Sequence, residues 1–104
     1  MYYGSIELGG TKIRSAIFDD DENLKDEDRI KTSNPNENMK KVVEFFSKYK
    51  IKSIGIGAFG PIDVDKNSYT YGYILATPKK LWRNFNLLAS LSEKLDVPMG
   101  LTTD

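Results

Sequence analysis

Near the start of the chain, Glu7-Leu8-Gly9-Gly10-Thr11-Lys12 is the first group of residues whose types and spacing could do chemistry. Glycines without a Cβ let a hairpin backbone approach a phosphate closely and aim its N–H groups at it, and Thr11 and Lys12 add hydroxyl and ammonium donors. Glu7 could hold a hydrated Mg²⁺, an ion that prefers few carboxylates and several waters. On spacing alone the same residues also make a plain Gly-Gly turn. They are neither a P-loop nor a dinucleotide fingerprint, because both need a helix directly after the glycines and here a strand-like run follows. A second group is Gly55-Ile56-Gly57-Ala58-Phe59-Gly60-Pro61. Glycines leaving a strand mean that something packs on bare backbone, either a neighbouring helix or a ligand. Ala76-Thr77-Pro78-Lys79 with Leu81 and Trp82 is a third, a turn that offers a hydroxyl and an aromatic wall unless Trp82 belongs to the core or its rim. The fourth is Thr103-Asp104 at the end of an apolar run, where a carboxylate could take a proton from a substrate hydroxyl or simply be solvated.

The elements that must position these groups are legible from periodicity. Tyr3 to Glu7 and Ile13 to Phe18 are two β-type runs separated by the glycine pair, which predicts an antiparallel hairpin. Asp19 to Asp28 holds seven acidic residues among ten and reads as a solvated turn, with a third strand near Arg29 to Thr32. A metal-binding loop would need more regular ligand spacing and a sharp-turn glycine. Asn34-Pro35-Asn36 starts a helix whose apolar face is Met39, Val42, Val43 and Phe46, leaving Lys40, Lys41 and Lys48 outward. Ile51 to Ala58 reads as a strand, and the helix before it makes a parallel crossover the natural connection. Asp63 to Tyr73 is an aperiodic excursion. Leu87, Leu88, Leu91 and Leu95 mark a second helix, ended by Asp96-Val97-Pro98, and Met99 to Thr102 is a last strand. The expected fold class is therefore α/β, a mixed sheet of three antiparallel strands plus two parallel strands with helices.

Composition narrows the chemistry. Fifteen Lys plus Arg balance fifteen Asp plus Glu, so no net field draws the chain onto nucleic acid or a membrane, and neither partner is expected. The sequence has no Cys and no His, which removes disulfides, thiolate nucleophiles, imidazole bases and the usual zinc ligands. A general base here must be a carboxylate or Lys. No signal-peptide pattern and no long apolar run is present, so the expected compartment is the cytoplasm. Ligands of open α/β sheets sit outside the carboxyl ends of strands. A chain that stops at Asp104, immediately after a strand, is accordingly expected to be part of a longer protein.

Taken together, Glu-Leu-Gly-Gly-Thr-Lys, then Gly-Ile-Gly-Ala-Phe-Gly-Pro-Ile-Asp, then Ala-Thr-Pro-Lys with Trp82, then Thr-Thr-Asp resemble, in order and spacing, the N-terminal part of ROK-family sugar kinases, fructokinases in particular. The resemblance covers all 104 residues. It implies the actin-like, ribonuclease-H-like ATPase fold with two domains flanking a cleft, of which residues 1–104 would supply most of the first. It implies ATP and Mg²⁺ as cofactors and a hexose as substrate, most simply D-fructose phosphorylated on its 6-hydroxyl. By position, the phosphate loop falls on Gly9, Gly10, Thr11 and Lys12, with Glu7 where many relatives have Asp. Gly60, Pro61 and Thr77 fall on the sugar-facing wall, and Asp104 on the catalytic base. Thr103 stands where many relatives have Asn, so one sugar contact is expected to change or weaken. The second phosphate loop, the adenosine pocket and the Cys and His zinc site of the family would lie further on, so residues 1–104 alone are expected to be inactive. Other hexose or N-acetylhexosamine kinases of the family are the nearest alternative. A family transcriptional regulator would carry a helix-turn-helix ahead of the hairpin, where only two residues precede Tyr3, and a non-catalytic module would bind neither nucleotide nor sugar. Without a second domain the cleft face is expected to be exposed and covered by association, which makes a homo-oligomer the expected state.

Overall fold

The computed structural model describes residues 1–58 and 62–103. Among these, five strands form one sheet in the order β3-β2-β1-β4-β5. They are β1 (Tyr2–Leu8), β2 (Lys12–Phe18), β3 (Leu24–Lys31), β4 (Ile51–Ala58) and β5 (Met99–Thr103). β1 to β3 run antiparallel in turn, whereas β4 pairs parallel with β1 and β5 parallel with β4. The α/β class and the mixed sheet expected from the pattern are thus observed. Helix α1 (Pro35–Ser47) links β3 to β4, and α2 (Leu87–Ser92) precedes β5.

Two expected boundaries need correction. The acidic run is not all turn, because β3 begins at Leu24 and takes in Asp26, Glu27 and Asp28. Only the residues from Asp19 to Asn23 turn, organised by Asp19, whose Oδ1 accepts the Asp21 and Asn23 amides at 2.9 Å each. The strand tolerates two of these carboxylates because they find partners: Arg14 closes on Glu27 at 2.6 Å, Arg29 reaches the same carboxylate at 3.3 Å, and the Tyr49 hydroxyl donates to Asp26. Charged side chains on an edge strand also discourage pairing with other chains. The second correction concerns α2, which ends at Ser92 although Leu95 keeps the apolar spacing and is buried. Beyond Ser92 the chain tightens into a closing turn, with Lys94 N–H donating to the Leu91 carbonyl at 3.2 Å.

Both helices lie on one face of the sheet. Ile6, Leu8, Ile13, Ile17, Ile54 and Ile56 point into a core shared with Met39, Val42, Phe45 and Phe46 of α1 and with Leu87 and Leu91 of α2. Gly4 of β1 is where α1 comes closest: a methyl group there would stand 2.7 Å from the Phe46 ring. The α1 start follows its sequence signals, since the Asn34 side chain accepts the Glu37 amide at 2.9 Å and Pro35 occupies the first turn. Asn38 is buried because its amide bridges the strand-to-helix junction, accepting from Ser33 N–H at 2.7 Å and donating to the Lys31 carbonyl at 3.0 Å. The opposite face is open at Gly55 and Gly100, where an added methyl group would meet nothing within 4 Å.

Candidate functional site

Strand register decides which of the four sequence groups meet. Leu8 is paired with Ala58 and Ala58 with Thr103, so the carboxyl ends of β1, β4 and β5 lie side by side at one edge of the sheet. Gly9 leaves β1 at that edge, residues 59–61 leave β4, and Asp104 follows β5. Gly60, Pro61 and Asp104 themselves lie outside the described residues, and of Thr103 only the strand placement is described.

The hairpin is the best-defined part of the site. Gly9 N–H donates to the Lys12 carbonyl at 2.9 Å and closes the turn. Only glycine fits there, because a Cβ on Gly9 would press to 2.9 Å from that same carbonyl oxygen. Thr32, at the end of β3, anchors the loop from its flank: its hydroxyl donates to the Gly9 carbonyl at 2.8 Å and its N–H to the Thr11 carbonyl at 2.9 Å. With both loop carbonyls engaged, the Gly10 and Thr11 amides have no hydrogen-bond acceptor among the described residues. Two unpaired N–H groups at a turn, with the exposed Lys12 beside them, form a concavity suited to an anion. Thr32 was not singled out by its sequence; a lone Thr at a strand end carries no signal until the fold brings it to Gly9.

Glu7 lies on the open face of the sheet, with its side chain 64% exposed and its Oε1 only 3.6 Å from Arg14. Arg14 makes its closer contacts with Glu27, at 2.7 and 2.6 Å. The Glu7 carboxylate therefore keeps lone pairs for another partner, and a single exposed carboxylate fits a hydrated Mg²⁺.

The third group splits. Trp82 is core, 1% exposed, with its indole N–H donating to the Ser33 carbonyl at 2.9 Å and its ring edge-on to Phe85. Thr77 is 2% exposed, its Oγ1 accepting Lys79 N–H at 3.3 Å and its carbonyl accepting Arg83 Nε at 2.6 Å. Its hydroxyl proton remains available to donate. Lys79, from the same turn, comes to the first group: a methyl group on Gly10 would lie 3.8 Å from Lys79 Cε. Ser33, Asn34, Pro78, Lys79 and Leu81 line a recess of about 450 Å³ next to this contact. In the second group Gly55 is not covered by a helix, since a methyl group there would meet nothing within 4 Å.

After residues 59–61 the chain is ordered by Asp63. Its carboxylate accepts the Thr70 hydroxyl at 2.6 Å and the Asp65 amide at 2.9 Å. The Ser68 and Thr70 hydroxyls together with the Asp65 amide hold its carboxyl below the ordinary aspartate value, because they stabilise the charged form. Among the described residues no group of His, Cys, Asp and Glu is placed to hold a metal by itself, and no helix is long and apolar enough to cross a membrane.

Comparison with known proteins places this geometry. Over its whole length the chain is 46% identical to the fructokinase of Lactococcus lactis subsp. cremoris, and it spans 36% of that protein. A ROK family protein from Streptococcus pneumoniae TIGR4, solved in complex with sucrose, superposes on all of this chain with a TM-score of 0.80 at 22% identity, over 35% of its own length. A ROK family glucokinase from Streptomyces griseus, solved with glucose and AMPPNP, superposes on 99% of it with a TM-score of 0.71 at 21% identity, over 33% of its own length. These likenesses establish the actin-like ATPase fold. The ROK family model matches residues 3–104, and with that match and the fructokinase identity the chain belongs to the ROK family.

Proposed function

We propose that residues 1–104 are the N-terminal actin-like ATPase domain of a longer sugar kinase, which transfers the γ-phosphoryl group of ATP to the 6-hydroxyl of D-fructose. The observation that carries this reading is the convergence of the carboxyl ends of β1, β4 and β5 beside a hairpin whose Gly10 and Thr11 amides are unpaired. The name and identity of the Lactococcus relative support the sugar.

Phosphoryl transfer asks a protein mainly for positioning and for stabilisation of charge. The Gly10 and Thr11 amides and the Lys12 ammonium would donate to phosphoryl oxygens. Glu7 would hold Mg²⁺, directly or through water, and the ion would supply further neutralisation of phosphate charge. Asp104, one residue beyond β5, would accept or orient the proton of the attacking hydroxyl, with Gly60, Pro61, Thr77 and Thr103 on the sugar side. The remaining contacts, a zinc site if there is one, and closure over the cleft belong to the rest of the protein. The partners of the whole are small molecules, its compartment the cytoplasm, and neither nucleic acid nor membrane is required.

The test is an ADP-release assay on the full-length protein with fructose, glucose, mannose and N-acetylmannosamine. Fructose should show the highest kcat/KM. A preference for another hexose would overturn the substrate while retaining the kinase, and no sugar-dependent ADP release with any of them would overturn both.

A further inference from the structure

Two ammonium groups reach the Gly9 to Lys12 hairpin, and only one of them belongs to it. Lys12 is part of the turn. Lys79 arrives from the loop before the short 3-10 helix Lys80–Trp82 and lays its side chain over Gly10, in ordinary van der Waals contact with the space a methyl group would fill. Its exposure does not mean that its root is loose. Lys79 N–H donates to Thr77 Oγ1 at 3.3 Å, and its carbonyl accepts Trp82 N–H at 2.9 Å. Arg83 clamps the Thr77 carbonyl at 2.6 Å, and the buried Trp82 indole ties the helix to the Ser33 carbonyl at 2.9 Å. Thr32, next to Ser33, is the residue that anchors the hairpin through the Gly9 and Thr11 carbonyls. The base of Lys79 and the loop it covers therefore hang on two adjacent residues, so their spacing is set by the fold.

Electrostatics gives that placement a use. Among the described residues the ion pairs engage the N-terminus, Arg14, Lys25 and Arg29, and none engages Lys79 or Lys12. A lysine whose Cε packs beside Gly10, with no carboxylate pairing its ammonium among the described residues, raises the affinity of the neighbouring amides for a multiply charged anion. Ammonium-to-phosphate hydrogen bonds are among the stronger ones proteins make.

We infer that Lys79 is a second phosphate-binding residue, donating from above Gly10 to an oxygen of the phosphoryl group seated on the Gly10 and Thr11 amides. It stays protonated throughout, and no covalent step passes through it. This inference rests on the reading of the hairpin as the nucleotide phosphate site and adds to it a ligand from a different part of the chain.

The experiment compares Lys79→Met and Lys79→Arg with the wild type in the full-length protein, using MgATP as the probe in calorimetric titration and in steady-state kinetics at saturating sugar. Removing one preorganised donor to developing charge costs about a hundredfold, so K79M should lose that order of kcat/KM for MgATP, with weaker MgATP binding and a sugar Kd within about twofold of wild type. K79R, which keeps the charge, should recover most of the loss. The gap between K79M and wild type should narrow as salt rises, because an exposed charge is screened. MgATP binding and kcat/KM in K79M within about twofold of wild type would overturn the inference, as would a K79R no better than K79M. Should K79M lose its fold by circular dichroism, Lys79→Gln takes the same readouts and decides. A wild type that binds MgATP but phosphorylates no sugar, with binding weakened in K79M, would sink the kinase reading and keep this one. A wild type that phosphorylates sugar with K79M unimpaired would sink this one alone, and a wild type that binds no MgATP would end both.

Discussion

At Asp104, one substitution separates positioning from proton acceptance. The residue follows β5 at the edge where the hairpin also ends, and the sequence offers no His to share the work of a base. Asp104→Asn keeps the size and one hydrogen-bonding oxygen but removes the charge that accepts a proton. General-base contributions are about 10² to 10⁴ fold, so kcat of the full-length protein should fall on the order of a hundredfold or more, with a much smaller change in sugar affinity. Steady-state rates beside calorimetric sugar titration decide it: retention of more than roughly a third of kcat would remove Asp104 from the role of base. Residue types alone were ambiguous elsewhere. Trp82 reads in the sequence as core or rim more readily than as a ligand wall, and in the structure it is core, with its indole N–H satisfied by the Ser33 carbonyl. Thr32 carries no signal of its own, and Lys79, though part of the third group, gains its place only from Gly10 lying opposite it.

Between elements, the junction of β1 with α1 and that of β3 with α1 are testable separately. A methyl group at Gly4 would stand 2.7 Å from the Phe46 ring and 2.9 Å from Ile54 Cγ1, both from the core. Overpacking of this kind typically costs about 1–3 kcal/mol. Gly4→Ala should lower the stability of the folded protein by that order in urea denaturation, while Gly55→Ala, on the open face, should cost nothing through clash. At the second junction Tyr49, just after α1, donates its hydroxyl to Asp26 of β3. That bond, then the Glu27 amide, and a smaller Coulombic contribution from Lys48 hold the Asp26 carboxyl below its ordinary value of 3.8, against a modest burial effect that opposes them. A folded-state value below the unfolded one means stability that is present above the unfolded value and lost as pH falls through the folded one. Comparing thermal midpoints of wild type and Tyr49→Phe should show a difference at pH 7 that shrinks as the pH drops below about 4. A difference that is constant with pH would show that the contact does not depend on the carboxylate's charge.

For the whole molecule, the open face is the feature with consequences. Ala16, Ser5, Gly55 and Gly100 form one row across β2, β1, β4 and β5, flanked on one side by the Glu7 and Arg14 carboxylate and guanidinium groups. This face is built of small and charged side chains, with Tyr3 and Phe18 half-buried at its far end. The chain spans 36% of its Lactococcus relative, and we expect polypeptide outside residues 1–104 to cover this row in the full-length protein. In isolation, residues 1–104 are expected to self-associate through it. Light scattering across a concentration series measures this. Gly55→Lys, which has room for its side chain, should leave the fold intact and weaken association; a wild type that stays monodisperse and monomeric at high concentration would count against the idea.

What the sequence by itself determined is local. Alternation, apolar spacing and turn chemistry act over a few residues, so they specified the hairpin, the start of α1, the β4 run and the order of elements. The spacing of the four motifs carried the family. The limits of β3 and α2 lay beyond such signals: a run with seven acidic residues in ten belongs in solvent until Arg14 and Tyr49 arrive from other elements to pair with Glu27 and Asp26, and Leu95 continues the helical spacing after the helix has closed. Only the tertiary structure decided that Leu8, Ala58 and Thr103 share an edge, that Thr32 anchors Gly9, and that Lys79 covers Gly10. Each of those is a contact between residues far apart in the chain, and it forms because burying one face of the sheet under α1 and α2 selects the register in which Ile6, Leu8, Ile13, Ile17, Ile54 and Ile56 all point inward.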